Sequence, residues 1–243
     1  MLSRQTIKYL LRTSSLQQQE LKETYGHLPK TRCRREARCC SLLPEMTLVE
    51  ALPIIQRLLD MPATDRQRLI QTIVAYFFIN PVEITSCPFL KGQDCLIYTD
   101  RAFGCRAYGL WSHRYYKSLA EQHRHSKSHL RKQWENYGVS LPQKVLDFQM
   151  PYCLSVKIDS HASISDAMLL QMSQNIDATS KGFKRWHQTF SGAFFGDLSF
   201  FLTAMIFGTK EAVKMKFRLV KDILSTGKRT GLDVVTKELP DPF

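Results

Sequence analysis

The chain has 243 residues, of which 44% are hydrophobic and 23% are charged, and this composition is typical of a folded globular protein. It excludes disorder over most of the chain, and the 11 glycines and 10 prolines are too few for a fibrous or low-complexity protein. The formal net charge is +12, so an anionic partner is electrostatically favourable.

The N-terminal segment predicts an amphipathic helix over residues 3–24 that ends near Gly26, within a basic extension over residues 1–28. The apolar residues of this helix share one face: Ile7, Leu10 and Leu11. The segment lacks the continuous apolar run of a secretory signal. A basic start without an acid before Glu20 also fits a mitochondrial-type presequence, but the amphipathic pattern favours a helix of the folded protein. We therefore predict a cytoplasmic protein, in which thiols stay reduced.

Two helices are predicted between the irregular segments 29–46 and 85–108. Thr47 followed by Glu50 is a capping-box signature, which predicts the start of the first helix. The second is predicted over residues 64–79, because apolar residues recur there on one helical face.

The C-terminal half predicts four helices and a loose tail. The helices are expected over residues 112–136, 163–180, 184–207 and 209–226, and the tail over residues 227–243. In the second of these helices a core stripe is expected at Ile164, Met168, Met172 and Ile176. The apolar segment 191–209 carries Asp197 near its middle, and a carboxylate there favours a buried helix over a membrane span. No transmembrane segment is therefore predicted.

These elements together predict a mainly α protein. We expect a single compact helical domain with two irregular cysteine-bearing loops that form a metal site. The cysteine-cluster region covers residues 29–110, and residues 111–226 complete the same domain.

Six of the seven cysteines lie in the two irregular segments: Cys33, Cys39 and Cys40 in the first, and Cys87, Cys95 and Cys105 in the second. Free cysteines are often buried as small apolar side chains, and this interpretation suits one or two of them. It does not suit six that lie beside Pro, Gly and Arg in segments without periodicity. Thiolates select zinc, copper(I) or iron–sulfur clusters. Neighbouring cations favour the thiolate form, and the candidates are Arg32, Arg34, Arg35, Arg38, Arg101 and Arg106.

The second segment also carries a specific set of motifs. It reads Cys87-Pro88-Phe89-Leu90, then Cys95-Leu96-Ile97-Tyr98, Arg101-Ala102 and Cys105-Arg106. These blocks resemble the zinc- or iron-chelating CxxCxxCC family, also called YkgJ-type cysteine-cluster proteins, in which a proline stands at the position of Ala102. The family's first block is C-x2-C-x2-CC, and here Glu36 stands at its second cysteine. The resemblance covers residues 30–110 and implies metal chelation.

Two further residues are candidate ligands under this resemblance. Glu36 could bind through oxygen, which zinc accepts and which would be unusual for an iron–sulfur cluster; alternatively one coordination position is vacant or the site has decayed. Cys153, in Pro151-Tyr152-Cys153, matches a downstream cysteine of the family. Six or seven thiols exceed the four that one structural zinc needs, so a cluster and two metal ions both stay open. The candidate cofactors are zinc and iron, including an iron–sulfur cluster.

Two functional classes follow from these observations. In the first, a structural zinc supports a basic binding module for nucleic acid or an acidic protein partner. In the second, an iron–sulfur centre supports redox or modification chemistry, and the flagellin lysine methylase group has a similar cysteine pattern. The sequence shows no nucleotide-binding glycine loop and no C-x3-C-x2-C radical motif, so methylation is not carried over. The histidines of the basic stretch favour a solvated helix face rather than a metal site: His113, His123, His125 and His129.

Overall fold

The computed structural model describes residues 2–34, 36–159 and 163–243, and helices make up most of it. The α-helices are α1 (Arg4–Thr13), α2 (Ser15–Gly26), α3 (Leu48–Leu59), α4 (Ala63–Ile79), α5 (Phe103–Arg106), α6 (His113–Asn136), α7 (Gln143–Leu146), α8 (Asp166–Lys181), α9 (Arg185–Gln188), α10 (Leu198–Phe207), α11 (Thr209–Thr226) and α12 (Thr230–Lys237). Short 3-10 turns occur at Arg38–Cys40 and Tyr98–Asp100, and a π-helical turn at Thr189–Ala193. The predicted mainly α class is confirmed.

The strands of the described ranges are short and form two antiparallel pairs. β1 (Thr31–Arg32) pairs with β4 (Lys157–Ile158). β2 (Leu90–Lys91) pairs with β3 (Asp94–Cys95) and places Leu90 opposite Cys95. Because each pair lies in or beside a cysteine-bearing segment, the sheet structure serves to hold these loops.

The helix starts in the first half follow the local sequence. The capping box predicted at Thr47 and Glu50 is present at the start of α3. Helix α4 begins one residue before the predicted position and ends at Ile79 as predicted. The basic helix predicted over residues 112–136 is α6, and Ser112 caps it by accepting a hydrogen bond from the backbone N–H of Tyr115.

The core is built around α4 and α10. Helix α10 is apolar on every side, and its first seven residues are buried. Helix α4 packs against α10, α11 and α12, and the rings of Phe77 and Phe200 stack with centroids 5.0 Å apart. Asp197 is the N-cap of α10, where one carboxylate oxygen accepts from the backbone N–H groups of Ser199 and Phe200. The carboxylate that interrupts the apolar segment is therefore satisfied at a helix start, and the predicted buried helix is confirmed.

Within the described ranges, no single helix has both the length and the apolar composition needed to cross a membrane. The segments Arg185–Ala193 and Leu198–Phe207 reach that threshold only as a pair, across a bend of 98°.

Two of the predicted helices are broken in the structure. The helix expected over residues 3–24 is divided at Ser14 into α1, which packs on α3, and α2, which packs on α8. The helix expected over residues 184–207 is divided because Phe195 and Gly196 adopt positive φ angles and Asp197 caps a new helix. Apolar periodicity continues across both breaks, so it does not reveal a turn between two helices that pack on different neighbours.

The C-terminal tail and one core stripe also differ from prediction. Residues 227–243 were expected to be loose, but α12 packs on α4, and Asp241 accepts hydrogen bonds from Arg66 with the closest N–O distance 2.8 Å. In α8 the buried face contains Leu169, Met172 and Ile176, whereas Met168 is exposed. The prediction was therefore wrong at Met168, where the adjacent Leu169 faces the core instead. The helices packed against α8 decide which of these two apolar side chains is buried.

Candidate metal centre

A backbone hydrogen bond joins the two cysteine-bearing segments directly. The N–H of Cys87 donates to the carbonyl oxygen of Cys40 over 2.6 Å. Helices α3 and α4 lie between the two segments in sequence. The predicted approach of the two loops is therefore seen directly in this backbone contact.

The first segment is turned by an unusual residue. Ala37 has φ of 54°, in the left-handed region that non-glycine residues rarely adopt, and the 3-10 turn Arg38–Cys40 follows it. The N–H of Cys40 donates to the carbonyl of Ala37 over 2.9 Å. This turn places the Sγ atoms of Cys39 and Cys40 3.8 Å apart.

The second segment holds its cysteines on three small elements. Cys87 opens a turn that is closed by a hydrogen bond from the Leu90 N–H, and Cys95 ends β3. The turn between β2 and β3 contains Gly92 at φ of 64°, an angle that glycine adopts at no steric cost. Cys105 lies in α5, whose N-cap residue Ala102 has φ of −63° and ψ of 161°.

The predicted loop cysteines line one cavity of about 230 Å³. All six contribute to its wall: Cys33, Cys39, Cys40, Cys87, Cys95 and Cys105. Tyr98 of the quoted motif also lines it, as do Gln93 and Asp94, which sequence reasoning did not single out. Asp94 could have been noted as a candidate from the sequence, because its carboxylate is a possible metal ligand and it directly precedes Cys95.

The thiols of this cavity influence one another electrostatically. The pKa of Cys87 is raised to about 12, mainly by desolvation and with smaller contributions from the nearby thiols of Cys95 and Cys39. Burial likewise raises the pKa of Cys95 and of Cys105. Because each added negative charge opposes the next, the cavity accepts several thiolates only together with a compensating cation.

Cys39 is the exception among these thiols. Its pKa is lowered to about 6, first by the hydrogen bond from Cys40 and then by the positive charge of Arg101. The same contact raises the pKa of Cys40. One thiolate of the adjacent pair is therefore favoured at neutral pH, and its partner keeps a proton.

The arginines predicted to support the thiolates have different roles. Arg101 lines the cavity, with its guanidinium 3.7 Å from the ring centroid of Tyr98. Arg106 donates to the carbonyl of Arg101 over 2.7 Å and lies over the ring of Tyr25. Arg38 pairs with Glu36 at 2.8 Å. Among the described arginines, Arg101 is the one that lines this cavity, and Arg35 lies outside the described residues.

Glu36 and Cys153 lie in a smaller neighbouring cavity of about 40 Å³, which they share with Cys33, Cys39 and Cys105. One carboxylate oxygen of Glu36 accepts from the Ser155 hydroxyl over 2.5 Å, and the other pairs with Arg38. The hydrogen bond from Ser155 and the charge of Arg38 lower the pKa of Glu36. Cys153 is buried and does not line the larger cavity. These two candidates are therefore separated from Cys40, Cys87 and Cys95.

The fit of these residues to a metal can be judged from their chemistry and spacing. Zinc–sulfur bonds of about 2.3 Å in a tetrahedral site place two sulfurs about 3.8 Å apart, which matches the Cys39–Cys40 separation of 3.8 Å. In the part of the chain that the structure describes, however, no three His, Cys, Asp or Glu side chains are arranged so that they could hold a metal ion. The thiol donors are of the kind that soft metals prefer, but the side chains as placed do not form a coordination shell.

A buried carboxylate supports the cavity from behind. Glu50 is 4% exposed and accepts hydrogen bonds from the Tyr25 hydroxyl over 2.8 Å and from the Phe103 N–H over 2.6 Å. Its other oxygen accepts from the Thr47 N–H over 2.8 Å. Glu50 thus connects α2 and the start of α3 to Phe103, the first residue of α5. Cys105 lies in the same short helix.

Comparison of the chain with protein-family models, with curated proteins and with solved structures found no match. Interpretation of the site therefore depends on its own geometry and chemistry.

Proposed function

We propose that the protein is a cysteine-cluster metalloprotein that chelates zinc or iron through thiolates of the two loops. The observation that carries this proposal is the common cavity of about 230 Å³, whose wall includes all six loop cysteines. Buried thiols are expensive to ionise singly, and a divalent cation or an iron–sulfur cluster offsets their charge.

The ionisation of the thiols and the charge of Arg101 determine how the site takes up a cation. Cys39, with its pKa lowered to about 6, is the first thiolate to meet an incoming cation. The remaining thiols must lose protons as they bind, so metal affinity is expected to rise with pH and binding to release protons. Arg101 lies beside the thiols, where it balances part of the charge of a thiolate-rich site. When bound, zinc would supply structural support, and an iron–sulfur centre would supply electron transfer.

The test is the metal content and absorption spectrum of the full chain purified anaerobically without added metal. Stoichiometric zinc in a colourless sample supports a structural site, and iron with acid-labile sulfide in a brown sample supports the cluster. The variant Cys87→Ser is expected to lose the metal. The matched control Cys153→Ser replaces another buried cysteine that does not line the larger cavity, and it is expected to keep the metal. Metal-free folded protein, or metal retained by Cys87→Ser, would contradict the proposal.

A second candidate function is binding of a nucleic acid or an acidic protein through α6. Of its 24 residues only Trp134 is buried, so the helix presents a long exposed surface. Its two acids are each paired with an arginine, Glu121 with Arg124 and Glu135 with Arg131. The remaining exposed cations of the helix are Arg114, Lys117 and Lys132. They give the helix an excess of positive charge toward solvent.

Anisotropy titrations with a labelled DNA duplex at several salt concentrations test this second candidate. Replacement of Arg114 and Lys117 by Gln should weaken binding and reduce the slope of log K against log salt by about two. The matched control replaces Lys210 and Lys214 of α11, which are also exposed. Equal effects of both double variants would indicate that net charge alone, and not α6, attracts the duplex.

A further inference from the structure

A second large cavity lies away from the cysteines, between α4, α6, α10 and α11. Its volume is about 500 Å³, and none of the seven cysteines lines it. Most of its wall is apolar, with aromatic rings from three helices: Tyr76, Phe77, Trp134 and Phe200. Cavities of about 300–1,000 Å³ with apolar walls and a few polar groups are typical of sites for small molecules.

Lys216 of α11 lines this cavity. Its Nζ atom lies 3.9 Å from the ring centroid of Phe77. In the described ranges the ammonium has no carboxylate within ion-pairing distance and no hydrogen-bond acceptor. Lys127, which also lines the cavity, differs in this respect, because its Nζ atom donates to the backbone carbonyls of Val145 and Phe148.

Burial lowers the pKa of Lys216 to about 8, and the charge of Asp197 offsets part of this effect. At pH 7.4 a pKa of 8 leaves about one amine in five neutral, compared with about one in a thousand for an ordinary lysine. The other ionisable groups on the cavity wall are Glu45, Tyr76, Lys127 and Asp197. Burial and the charge of Asp197 raise the pKa of Glu45, so this carboxyl group is able to carry a proton nearer to neutral pH.

Phe195 lines the same cavity and has two uncommon features. Its side chain is 68% exposed, and its φ angle is 55°, which is an outlier for a bulky residue. Strained backbone and exposed aromatic surface are enriched at ligand-binding sites, where the surrounding structure maintains them.

We propose that this cavity binds a small apolar aldehyde or ketone and that Lys216 condenses with its carbonyl group. The wall carries two lysines and two carboxyl groups, so it gives no net preference for a charged ligand, and a neutral carbonyl compound suits it. The apolar body of the ligand would pack on the aromatic rings. This inference is independent of the metal proposal, since the two cavities share only the side chain of Leu43 among their wall residues.

The chemistry balances without any further reactant. The neutral Nζ atom of Lys216 attacks the carbonyl carbon, a carbon–nitrogen bond forms, and a proton passes from nitrogen to the carbonyl oxygen to give a carbinolamine. The hydroxyl group then leaves as water with a proton from the Glu45 carboxyl group, and the protonated imine remains. The condensation consumes one carbonyl group and releases one water molecule, and no group is oxidised or reduced.

The experiment treats the full chain with benzaldehyde and cyanoborohydride, which fixes an imine as a stable amine, and follows adducts by intact mass and peptide mapping. We expect Lys216 to be labelled at least ten-fold faster than Lys214, an exposed lysine of the same helix. The labelling rate should rise with pH around a midpoint near 8, the pKa of Lys216. The polar aldehyde glyceraldehyde should show a smaller preference for Lys216 than benzaldehyde does, because it gains nothing from the apolar wall.

Lys216→Arg should remove the fast adduct and Lys214→Arg should leave it, with thermal melts confirming that both variants fold. If Lys216→Arg does not fold, the mapping and the pH profile of the unmodified chain decide the question. Adducts spread evenly over the lysines, or a midpoint above 10 for Lys216, would overturn the proposal.

Discussion

Replacement of Glu50 by Gln is expected to destabilise the protein by about 1.5–3 kcal/mol. The carboxylate accepts hydrogen bonds on both oxygens, from Tyr25 and Phe103 on one and from Thr47 on the other. An amide keeps one acceptor oxygen and turns a donor N–H₂ toward the other donors. In either orientation one backbone N–H, of Phe103 or of Thr47, faces the amide N–H₂ and loses its acceptor in a buried site. The hydroxyl on that side, of Tyr25 or of Thr47, must turn and accept from the amide instead. Each bond to a charged acceptor contributes about 1.5–3 kcal/mol.

Urea unfolding monitored by circular dichroism measures this change, with the m-value checked for constancy. Glu23→Gln makes the same charge change on an exposed residue and should shift the free energy of unfolding by no more than about 0.5 kcal/mol. Tyr25→Phe removes one donor from Glu50 and should cost about 1.5–3 kcal/mol. A loss below about 1 kcal/mol for Glu50→Gln would refute the view that this carboxylate joins α2, α3 and α5 into one unit.

Three further predictions concern the backbone and the thiols. Ala102→Pro should keep or raise stability by up to about 1 kcal/mol in urea unfolding, because φ of −63° suits proline; a loss above 1 kcal/mol would show that the ring is not accommodated. Gly196→Ala should destabilise far more than Gly138→Ala in the same assay. Both glycines have positive φ, but only at Gly196 would the added carbon lie 2.6 Å from a carbonyl oxygen, so equal effects would contradict the steric argument. In chelator-treated protein, the reaction of Cys39 with iodoacetamide should have a midpoint near pH 6, because its thiolate persists above its lowered pKa of about 6 and is protonated below it. Cys87, with its pKa raised to about 12, should react slowly at pH 7. Peptide mapping that finds Cys87 modified before Cys39 would contradict this order.

Local sequence rules predicted the helices that depend on local interactions. The capping box at Thr47 and Glu50 and the apolar stripe of α4 are short-range patterns, and both elements occur as predicted. The broken segment 184–207 shows the limit of these rules. Its apolar residues continue through Gly196, and only the packing of α10 against α4 decides that the chain turns there.

The candidate site shows the same division. Clustering in two non-periodic loops identified the six cysteines that line the cavity, because soft ligands in turning backbone are recognisable in sequence. The separate placement of Glu36 with Ser155 and Arg38 could not be predicted, since it depends on residues 119 positions apart in the chain. The contribution of Asp94 likewise depends on how the β2–β3 turn faces the cavity.

The sequence alone determined the helical class, the capped helix starts and the cysteine-rich character of the two loops, because these depend on residue types at short spacing. Tertiary structure decided which thiols share a cavity, that Glu50 is shared by three elements, and that Lys216 lies against Phe77 in an aromatic cavity. The physical reason is that burial and electrostatic environment arise from groups brought together across the chain. The same lysine or cysteine therefore acquires a different pKa and reactivity according to the neighbours that packing supplies.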